Sequence, residues 1–420
     1  MFLNRILVRK ISSNTKILVG GLVGILLGLS LNTLQVSDYR STALYGAQLI
    51  SNLFLDLLKL VLVPLVFSSI AIGVANLQSH KKMHKVWILT LGFFGLSMTL
   101  AILLGFTTSY LFKPGLGMQL DSLTANLAVQ TTQKLSVGDY FAQFLHGIFQ
   151  NPFKALANGE IFSIVVSALI LGIALVAGGE RYRNIRTLLK EAQELCMMVV
   201  GWIMHIAPYG VAALLMQLVV KQDTQLLQEL FKFIAVVSGT TLFHGVVILP
   251  GLLYLLTGIS PFKFWRGSKE ALITAFATCS SNATLPITLR CTEQRLHVKR
   301  DIANFVVPLG ATINMDGTAL YEAVAALFIA RLCGIELDFV QQLIIFIVAT
   351  IGAIGAPGIP SVGMLSMVLV LESVGLPSAA IAILLPIDRI LDTIRTSVNV
   401  QGDMVGSLIV DRFTRDGHSS

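Results

Sequence analysis

The sequence has 420 residues, of which 55% are hydrophobic and only 13% are charged, and its mean hydropathy is +0.78. A soluble domain carries about 25% charged residues, so this composition excludes an ordinary soluble fold and predicts a polytopic membrane protein. The net charge is +7, but the basic residues stand in short clusters between apolar runs. That distribution is typical of cytoplasmic loops and argues against a nucleic-acid-binding surface.

Six apolar runs in the first part of the chain each have the length of a membrane span. They cover 17–34, 43–77, 86–112, 161–176, 195–220 and 233–256. The loops between them are alternately rich and poor in Lys and Arg, starting with a basic N-terminal segment. By the positive-inside rule this alternation predicts six crossings with the N-terminus in the cytoplasm. The first run is too long for a signal peptide, and no small-residue cleavage site follows it.

Two later segments are predicted to enter and leave the membrane on the same side. The segment 271–289 has no charge, but basic clusters flank it on both sides and its middle, TCSSNAT, is small and polar. A single crossing would leave one basic cluster outside, so we expect a re-entrant hairpin over about 262–294, entered from the cytoplasm. The uncharged segment 339–371 is too long for one crossing, and GAIGAPGIPSVG at its centre breaks a helix. We expect a second hairpin over about 339–376, entered from outside.

The C-terminal half therefore repeats one unit, a hairpin followed by a crossing helix. The crossing helices cover about 303–331 and 384–410, and the two units start from opposite sides. Inverted repeats with broken helices that meet near the midplane are typical of secondary transporters. This topology leaves the C-terminus in the cytoplasm.

The last crossing helix carries a stripe of polar side chains, which are energetically costly to place in a bilayer. Its members are spaced 4, 3, 4 and 4 residues apart, with Thr396 beside them: Asp388, Asp392, Arg395, Asn399 and Asp403. A charge at the bilayer centre costs at least ~2.5–3.5 kcal/mol, and such residues usually mark a ligand or ion path. Arginine suits a carboxylate and aspartate suits an amine, so the stripe fits a zwitterion with an additional carboxylate. Internal ion pairs that join this helix to its neighbours are the alternative.

The sequence GATINMDGTALYEA predicts a cation site. Asn314, Asp316 and Gly317 promote local unwinding in mid-membrane, and unwound carbonyls with a carboxylate form an oxygen cage for a monovalent cation. A simple kink capped by Asp316 is the alternative. Glu322, further along, either accepts a proton or faces a neighbouring helix, and both interpretations remain open.

The two hairpin tips carry residues that suit a ligand. Ser280 and Ser281 offer hydroxyl groups, and the helix that follows presents free N–H groups to an anion. In the second tip Gly355, Gly358 and Gly363 permit close approach of the backbone. The alternative for either tip alone is ordinary turn chemistry.

Little in the sequence indicates an enzyme or a bound cofactor. The four cysteines form no CxxC pair, which disfavours disulfides and a metal framework. His205 and His244 stand alone in apolar spans and are interpreted as packed or hydrogen-bonded helix residues. An intramembrane aspartyl protease would use Asp316 and Asp403, but it would normally carry GxGD where this chain has VQGD. An ion channel has less need for two gating hairpins around a closed site.

Four motifs together resemble those of the dicarboxylate/amino acid:cation symporters, the family of archaeal aspartate transporters and animal excitatory amino-acid transporters. They are NMDGTALYEA, SSNATLP, GAPGIPSVG and DRILDTIRTSVNVQGD. The resemblance implies an all-α protein of eight transmembrane helices and two re-entrant hairpins, assembled as a homotrimer in the cell membrane. It also implies a scaffold part, about 12–78 and 141–222, and a transport part, about 79–112 and 225–412, that moves like an elevator.

The resemblance implies a substrate site formed by the last helix, the NMDGT segment and both hairpin tips. Its residues would be Ser281, Thr318, Ile359, Gly363, Asp392, Arg395, Thr396 and Asn399. Arg395 and Thr318 would hold the side-chain carboxylate of the substrate, and Asp392 would take the amino group. Asn399, Thr396 and Ser281 would surround the main-chain carboxylate.

The resemblance also implies sodium as the coupling ion, with no other cofactor. The sodium ligands would come from Gly310, Thr312, Asn314, Met315, Asp316, Asn399 and Asp403. Glu322 matches the pattern of animal members, in which it is tied to proton coupling.

The chain departs from the family pattern at two places. Our alignment puts Phe94, Ser97 and Met98 where the third helix usually adds an aromatic and two hydroxyl residues to a third cation site. Cys279 and Thr393 stand at the two positions where archaeal and animal members respectively carry an arginine. The first departure predicts a weakened third cation site, and the second affects affinity and kinetics but not the fold.

These features together predict a symporter that imports L-aspartate or L-glutamate with sodium, with co-transport of a proton as an open alternative at Glu322. A C4-dicarboxylate symporter is the nearest alternative, but Asp392 would repel a dianion that has no ammonium group. A neutral amino-acid symporter is disfavoured because Arg395 would remain an unpaired buried cation.

Overall fold

The computed structural model describes residues 13–33, 37–75, 84–117, 150–158, 161–220, 224–355 and 362–415, and every regular element within them is helical. This confirms the all-α class. The α-helices are α1 Ser13–Thr33, α2 Ser37–Ala75, α3 His84–Phe112, α4 Pro152–Asn158, α5 Ile161–Gly178, α6 Arg183–Val220, α7 Thr224–Phe243, α8 Leu249–Thr257, α9 Pro261–Thr278, α10 Ser281–Arg290, α11 Arg300–Ile313, α12 Asp316–Leu332, α13 Phe339–Gly355, α14 Val362–Ser373 and α15 Ile381–Arg415.

Helical segments of the described residues have the length and apolar composition of membrane spans. Three qualify singly, Lys85–Phe112, Gln228–Thr257 and Arg300–Leu332, and a bent pair, Val166–Ile203 with His205–Gln217, adds a fourth if it is one span. These apolar helices indicate a membrane protein. The count of eight crossings stays a prediction, since several apolar helices fall short of a span by length.

Proline explains the bend inside α6. The two parts of the bent pair meet at an angle of 51°, with the break at residue 204. Pro208 lies four residues further on within α6. The proline ring clashes with the carbonyl four residues before it and removes one helical hydrogen bond, so the helix bends at this turn.

Helix α2 packs against α5 and α6, α6 also packs against α1, and small residues allow the closest contact. Gly20, Gly24 and Gly28 repeat every fourth residue on α1, and the backbone of α6 lies against this stripe. A methyl group on Gly28 would come within 2.7 Å of Val219 Cβ. Stripes of small residues at this spacing are typical of helix pairs in membranes, where close backbone approach supplies the packing energy.

Helix α12 is the centre of a second group of helices, and nearly all its residues are buried. Helices α3, α7, α13, α14 and α15 pack around it. Because protein covers every face, α12 is mostly apolar all round, with Glu322 as an exception in its middle. The backbone leaves the helical conformation between α11 and α12, at Asn314 (φ −107°, ψ 87°) and Met315 (φ −120°, ψ 56°). This break lies where the sequence predicts local unwinding.

Two pairs of consecutive helices pack together near α15. Helix α9 packs against α10, and the chain turns at Cys279, whose φ of +52° is left-handed, and at Ser280. Ser280 caps α10 by accepting a hydrogen bond from the N–H of Ala283 at 3.1 Å. Helices α13 and α14 also pack together, and their connection, 356–361, lies outside the described residues. Helix α15 contacts α9, α10, α11, α12 and α14, so it lies against members of both pairs and against the two helices that flank the α11–α12 break.

Candidate substrate and cation site

The polar stripe of α15 is buried along its whole length. Asp388, Asp392, Arg395, Asn399 and Asp403 each have no more than 4% of their surface exposed. Charged groups are buried only where partners replace water, so the arrangement depends on what faces the stripe. The partners come from α15 itself, from the α11–α12 break and from α12.

The guanidinium group of Arg395 is the cation at the centre of the stripe. Its Nη2 atom donates to Asp388 Oδ1 at 2.7 Å and to Asp392 Oδ1 at 3.1 Å. The guanidinium carbon lies 4.1 Å from the centre of the Tyr321 ring, which is a cation–π contact. Among the described residues no acceptor meets its Nε or Nη1 atom. Buried N–H groups of this kind are ready donors for a carboxylate.

Helix α14 comes close to this guanidinium through Gly363. A methyl group on Gly363 would lie 3.2 Å from Arg395 Nη1 and 3.2 Å from Thr318 Cγ2. Only a residue without a side chain leaves room there for the donors of Arg395 to remain accessible. Gly363, Thr318 and Arg395, which the sequence assigns to one substrate site, are therefore neighbours.

The start of α12 is joined to α15 through Asn399. Asn399 accepts a hydrogen bond from the N–H of Gly317 at 2.8 Å and donates to Thr318 Oγ1 at 3.3 Å. A side chain on Gly317 would meet the carbonyl oxygen of Arg395 at 2.8 Å, so glycine allows this approach. The first turn of α12 is thereby fixed against the polar stripe.

Three residues of the predicted substrate site remain, Thr396, Ser281 and Ile359. Thr396 donates to Asp392 Oδ1 at 3.4 Å, which keeps both on the buried face. Ser281 is the first residue of α10, is buried, and belongs to a helix that packs against α15. Ile359 lies outside the described residues. The structure thus brings Thr318, Gly363, Asp392, Arg395, Thr396 and Asn399 together from three helices.

Oxygen atoms gather at the α11–α12 break. Asn314 Nδ2 donates to Asp403 Oδ1 at 3.0 Å. Gly310 lies directly against the Asp403 carboxylate, and a methyl group on Gly402 would come within 2.5 Å of Asn314 Nδ2. Met315 is buried beside them, whereas the half-buried hydroxyl of Thr312 donates to the Leu309 carbonyl at 2.8 Å.

Two oxygen atoms at this break lack hydrogen-bond donors in the part of the chain that is described. They are Asn314 Oδ1 and Asp316 Oδ1, both fully buried. The other carboxylate oxygen of Asp316 accepts from Ser97 Oγ and lies 3.2 Å from His244 Nε2. Buried oxygens are normally satisfied, so these two suit a partner such as a hard monovalent cation.

Glu322 follows Thr318 by one helical turn in α12 and connects this helix to α14. It is fully buried and accepts a hydrogen bond from Ser366 Oγ. Its Oε2 atom has no partner within the described ranges. The contact between Glu322 and Ser366 links a buried carboxylate to the helix that carries Gly363.

Two of these contact residues, Tyr321 and Ser366, were not predicted from the sequence. His244 was interpreted as a packed or hydrogen-bonded helix residue, which its contact with Asp316 confirms. A lone polar side chain in an apolar span was the available signal for His244. His205 is also hydrogen-bonded, through Nδ1 to the Gly201 carbonyl oxygen at 2.7 Å.

The three positions on α3 where the chain departs from the family pattern combine one polar and two apolar side chains. Ser97 contacts Asp316, while Phe94 and Met98 are buried apolar side chains. Phe94 packs against Gly310, since its Cζ atom would lie 3.0 Å from a methyl group there. One of the three third-helix positions therefore supplies a polar contact near the cation candidates.

Comparison with known proteins shows to which family the chain belongs. The model of the Sodium:dicarboxylate symporter family matches residues 14–413. The chain is 32% identical to the proton/sodium-glutamate symport protein of Geobacillus stearothermophilus over 96% of this chain and 95% of that protein. It is 29% identical to excitatory amino acid transporter 3 of Oryctolagus cuniculus, over 97% and 87%, and 32% identical to neutral amino acid transporter B(0) of that species, over 93% and 79%. The chain is therefore a membrane transporter, not an enzyme, and belongs to the sodium:dicarboxylate symporter family.

Proposed function

We propose that this protein is a secondary active symporter that imports an acidic amino acid, L-glutamate or L-aspartate, with the sodium gradient as its driving force. The observation that carries this proposal is the buried guanidinium of Arg395, which keeps two nitrogen atoms without an acceptor among the described residues. A bound side-chain carboxylate supplies acceptors for these donors. The relatives named as glutamate symport protein and excitatory amino acid transporter support this substrate class.

Asp392 distinguishes an acidic amino acid from a C4-dicarboxylate. It contributes Oδ1 to Arg395 at 3.1 Å, and its Oδ2 atom lies 3.6 Å from Arg389 Nη1. The carboxylate attracts the ammonium group of an amino acid and repels a C4-dicarboxylate, which brings only negative charge. The likeness to a neutral amino acid transporter keeps a neutral substrate as the second candidate. The expectation that a neutral substrate would leave Arg395 an unpaired cation is wrong, because Asp388 and Asp392 pair with it. Its two nitrogen atoms without an acceptor among the described residues favour the acidic candidate.

Sodium ions bind at the α11–α12 break and beside Asn399 and Asp403 of the polar stripe. Gly310, Asn314, Asn399 and Asp403 form one site, Thr312 and Met315 contribute to a second beside the second hairpin, and Asp316 with Asn314 forms a third. The unpartnered oxygens of Asn314 and Asp316 support the third site. Because Asn399 also contacts Thr318, sodium binding and substrate binding share a side chain, which couples the two.

Transport follows the family plan. The protein crosses the cell membrane eight times, with both termini in the cytoplasm and hairpins over about 262–294 and 339–376. It forms a homotrimer whose scaffold, 12–78 and 141–222, guides a transport part, 79–112 and 225–412, in an elevator movement. The packing of α2 against α5 and α6, and of α6 against α1, supports this division. Glu322 carries a co-transported proton, and its contact with Ser366 connects that proton to the gating hairpin.

The proposal is tested by uptake into proteoliposomes that contain the purified protein. Labelled L-aspartate and L-glutamate should accumulate only with an inward sodium gradient, and unlabelled succinate or L-alanine should compete poorly. Empty liposomes and protein liposomes with equal sodium on both sides are the controls. Absence of gradient-dependent uptake of either acidic amino acid refutes the proposal, and preferential uptake of L-alanine favours the neutral candidate.

A further inference from the structure

A π-helical turn, His244–Ile248, connects α7 to α8 within one apolar span. In this turn the N–H of Leu249 donates to the carbonyl oxygen of His244, five residues back. In an α-helix the same N–H would reach the carbonyl oxygen of Gly245. The next residue, Pro250, has no N–H to give. The carbonyl of Gly245 therefore has neither of its two helical donors, and a buried carbonyl needs another one.

Gln401 on α15 supplies that donor. Its Nε2 atom lies 2.5 Å from the Gly245 carbonyl oxygen, and both residues are buried. The approach is close because Gly245 has no side chain: a methyl group there would lie 2.9 Å from Val398 Cγ2 and 3.2 Å from Gln401 Oε1. The hydrogen bond from the Gln401 side chain to the Gly245 carbonyl thus fixes the turn to α15.

The same turn presents His244 to the cation candidates. His244 is its first residue, and its Nε2 atom lies 3.2 Å from Asp316 Oδ2, with both side chains fully buried. A π turn holds one residue more than an α turn, so it shifts the facing of the side chains on one side of it by about 100° relative to the other. Loss of the turn would therefore rotate His244 relative to α8 and α15.

His244 and Ser97 both meet the Oδ2 atom of Asp316. Two contacts on one oxygen prevent the carboxylate from rotating. The other oxygen, Oδ1, is then held in one direction, and it has no donor among the residues that the structure describes. A carboxylate fixed in this way by neighbouring groups is preorganised to bind a cation.

We propose that Gln401 is a positioning residue of the coupling-ion site. It holds the π turn, the turn holds His244, and His244 with Ser97 orients Asp316 towards a sodium ion. The inference rests on the proposed function only in taking Asp316 as a sodium ligand. It assigns to Gln401 an effect on sodium affinity without a contact to sodium or to the substrate.

The test compares Gln401→Leu with Gln217→Leu, since each change removes a glutamine amide that donates to a backbone carbonyl. Gln217 lies on α6 and donates to the Ala213 carbonyl oxygen at 3.2 Å and to Ser51 Oγ at 3.0 Å. Sodium is titrated at fixed L-aspartate, and L-aspartate is then titrated at saturating sodium. We expect Q401L to raise the half-saturating sodium concentration about three- to tenfold, the effect of losing one buried hydrogen bond. Aspartate affinity at saturating sodium should stay within about twofold, and Q217L should match the wild type in both titrations.

A second measurement needs no sodium. Hydrogen exchange of the peptide that spans 244–251 should be faster in sodium-free Q401L than in the wild type, because the turn has lost its contact with α15. Q217L should leave this peptide unchanged. Gln401→Met, which also removes the donor, replaces Q401L if the leucine variant is not monodisperse.

His244 provides the link to Asp316. His244→Ala should raise the half-saturating sodium concentration as Q401L does. His244→Gln, which keeps an amide donor, should raise it less than His244→Ala. The double variant H244A/Q401L should be no worse than H244A, because both changes interrupt one chain of contacts.

The outcomes distinguish failure of the proposed function from failure of the positioning role of Gln401. Wild-type binding of L-aspartate that is independent of sodium refutes the proposed function. Sodium-dependent wild-type binding with an unchanged Q401L, or with additive effects of Q401L and H244A, overturns the positioning role of Gln401. An equal loss of aspartate affinity at saturating sodium overturns it too, because it indicates general loosening of the fold.

Discussion

Arg395 and Asp388 form a buried ion pair within one helix, with Nη2 of the arginine 2.7 Å from Oδ1 of the aspartate. The residues are seven apart on α15, so they lie on one face two turns from each other. Asp392 and the Tyr321 ring complete the surroundings of the guanidinium. The pair fixes where the remaining N–H groups point. A carboxylate that binds them meets donors that need no rearrangement.

Replacement of Arg395 is expected to remove recognition of acidic substrates. Arg395→Cys should abolish binding of L-aspartate, and Arg395→Lys should weaken it about 10- to 100-fold, because lysine keeps the charge but loses the planar fork. Sodium-dependent aspartate binding to the purified variants is the measurement. Retained aspartate affinity in R395C contradicts the assigned role, and acquired binding of L-alanine would support it.

Asp403 is expected to set the sodium dependence. Asp403→Asn removes the negative charge beside Asn314 and Gly310, and should raise the half-saturating sodium concentration at least about tenfold, as expected for a charged interaction. The matched control is Asp301→Asn, which makes the same change at an exposed position in the first turn of α11. Sodium titrations of aspartate uptake measure both variants. Equal sodium dependence in the two would exclude Asp403 from the cation site.

Glu322 is expected to carry the coupled proton. In Glu322→Gln, aspartate uptake driven by sodium should continue without acidification of the vesicle interior, because glutamine cannot release a proton. A pH indicator inside the proteoliposomes follows this flux. Ser366→Ala, which removes only the hydroxyl that donates to Glu322, should keep the proton flux. Acidification by E322Q equal to that of the wild type would rule out this carboxylate as the carrier.

Gly402 is expected to tolerate no side chain. Gly402→Ala places a methyl group 2.5 Å from Asn314 Nδ2 and 3.4 Å from Asp316 Oδ2, so the α11–α12 break must shift. Overpacking of this kind costs about 1–3 kcal/mol and should lower the melting temperature and the sodium affinity together. Gly251→Ala is the control, because its methyl group meets nothing within 4 Å and alanine favours the helix of α8. A melting temperature of G402A equal to that of G251A would show that the break adapts freely.

Local patterns predicted a large part of the site. The spacing of the α15 stripe predicts a buried face, and Asn and Gly in NMDG predict the break at Asn314 and Met315, since both depend on residues close in the chain. Contacts between distant residues were missed. His244 and Asp316 are 72 residues apart, and Gln401 and Gly245 are 156 apart. No periodicity connects such pairs, because their meeting depends on how whole helices pack.

By itself the sequence determined the membrane class, the helical content, the polar stripe and the family resemblance. These follow from hydropathy and from the geometry of a single helix, which every residue in the helix shares. Only the tertiary structure decided that Tyr321 covers Arg395, that Ser366 meets Glu322 and that Gln401 supports the turn of His244. The physical reason is that a buried polar group takes whichever donor or acceptor the packing of other helices brings within about 3 Å.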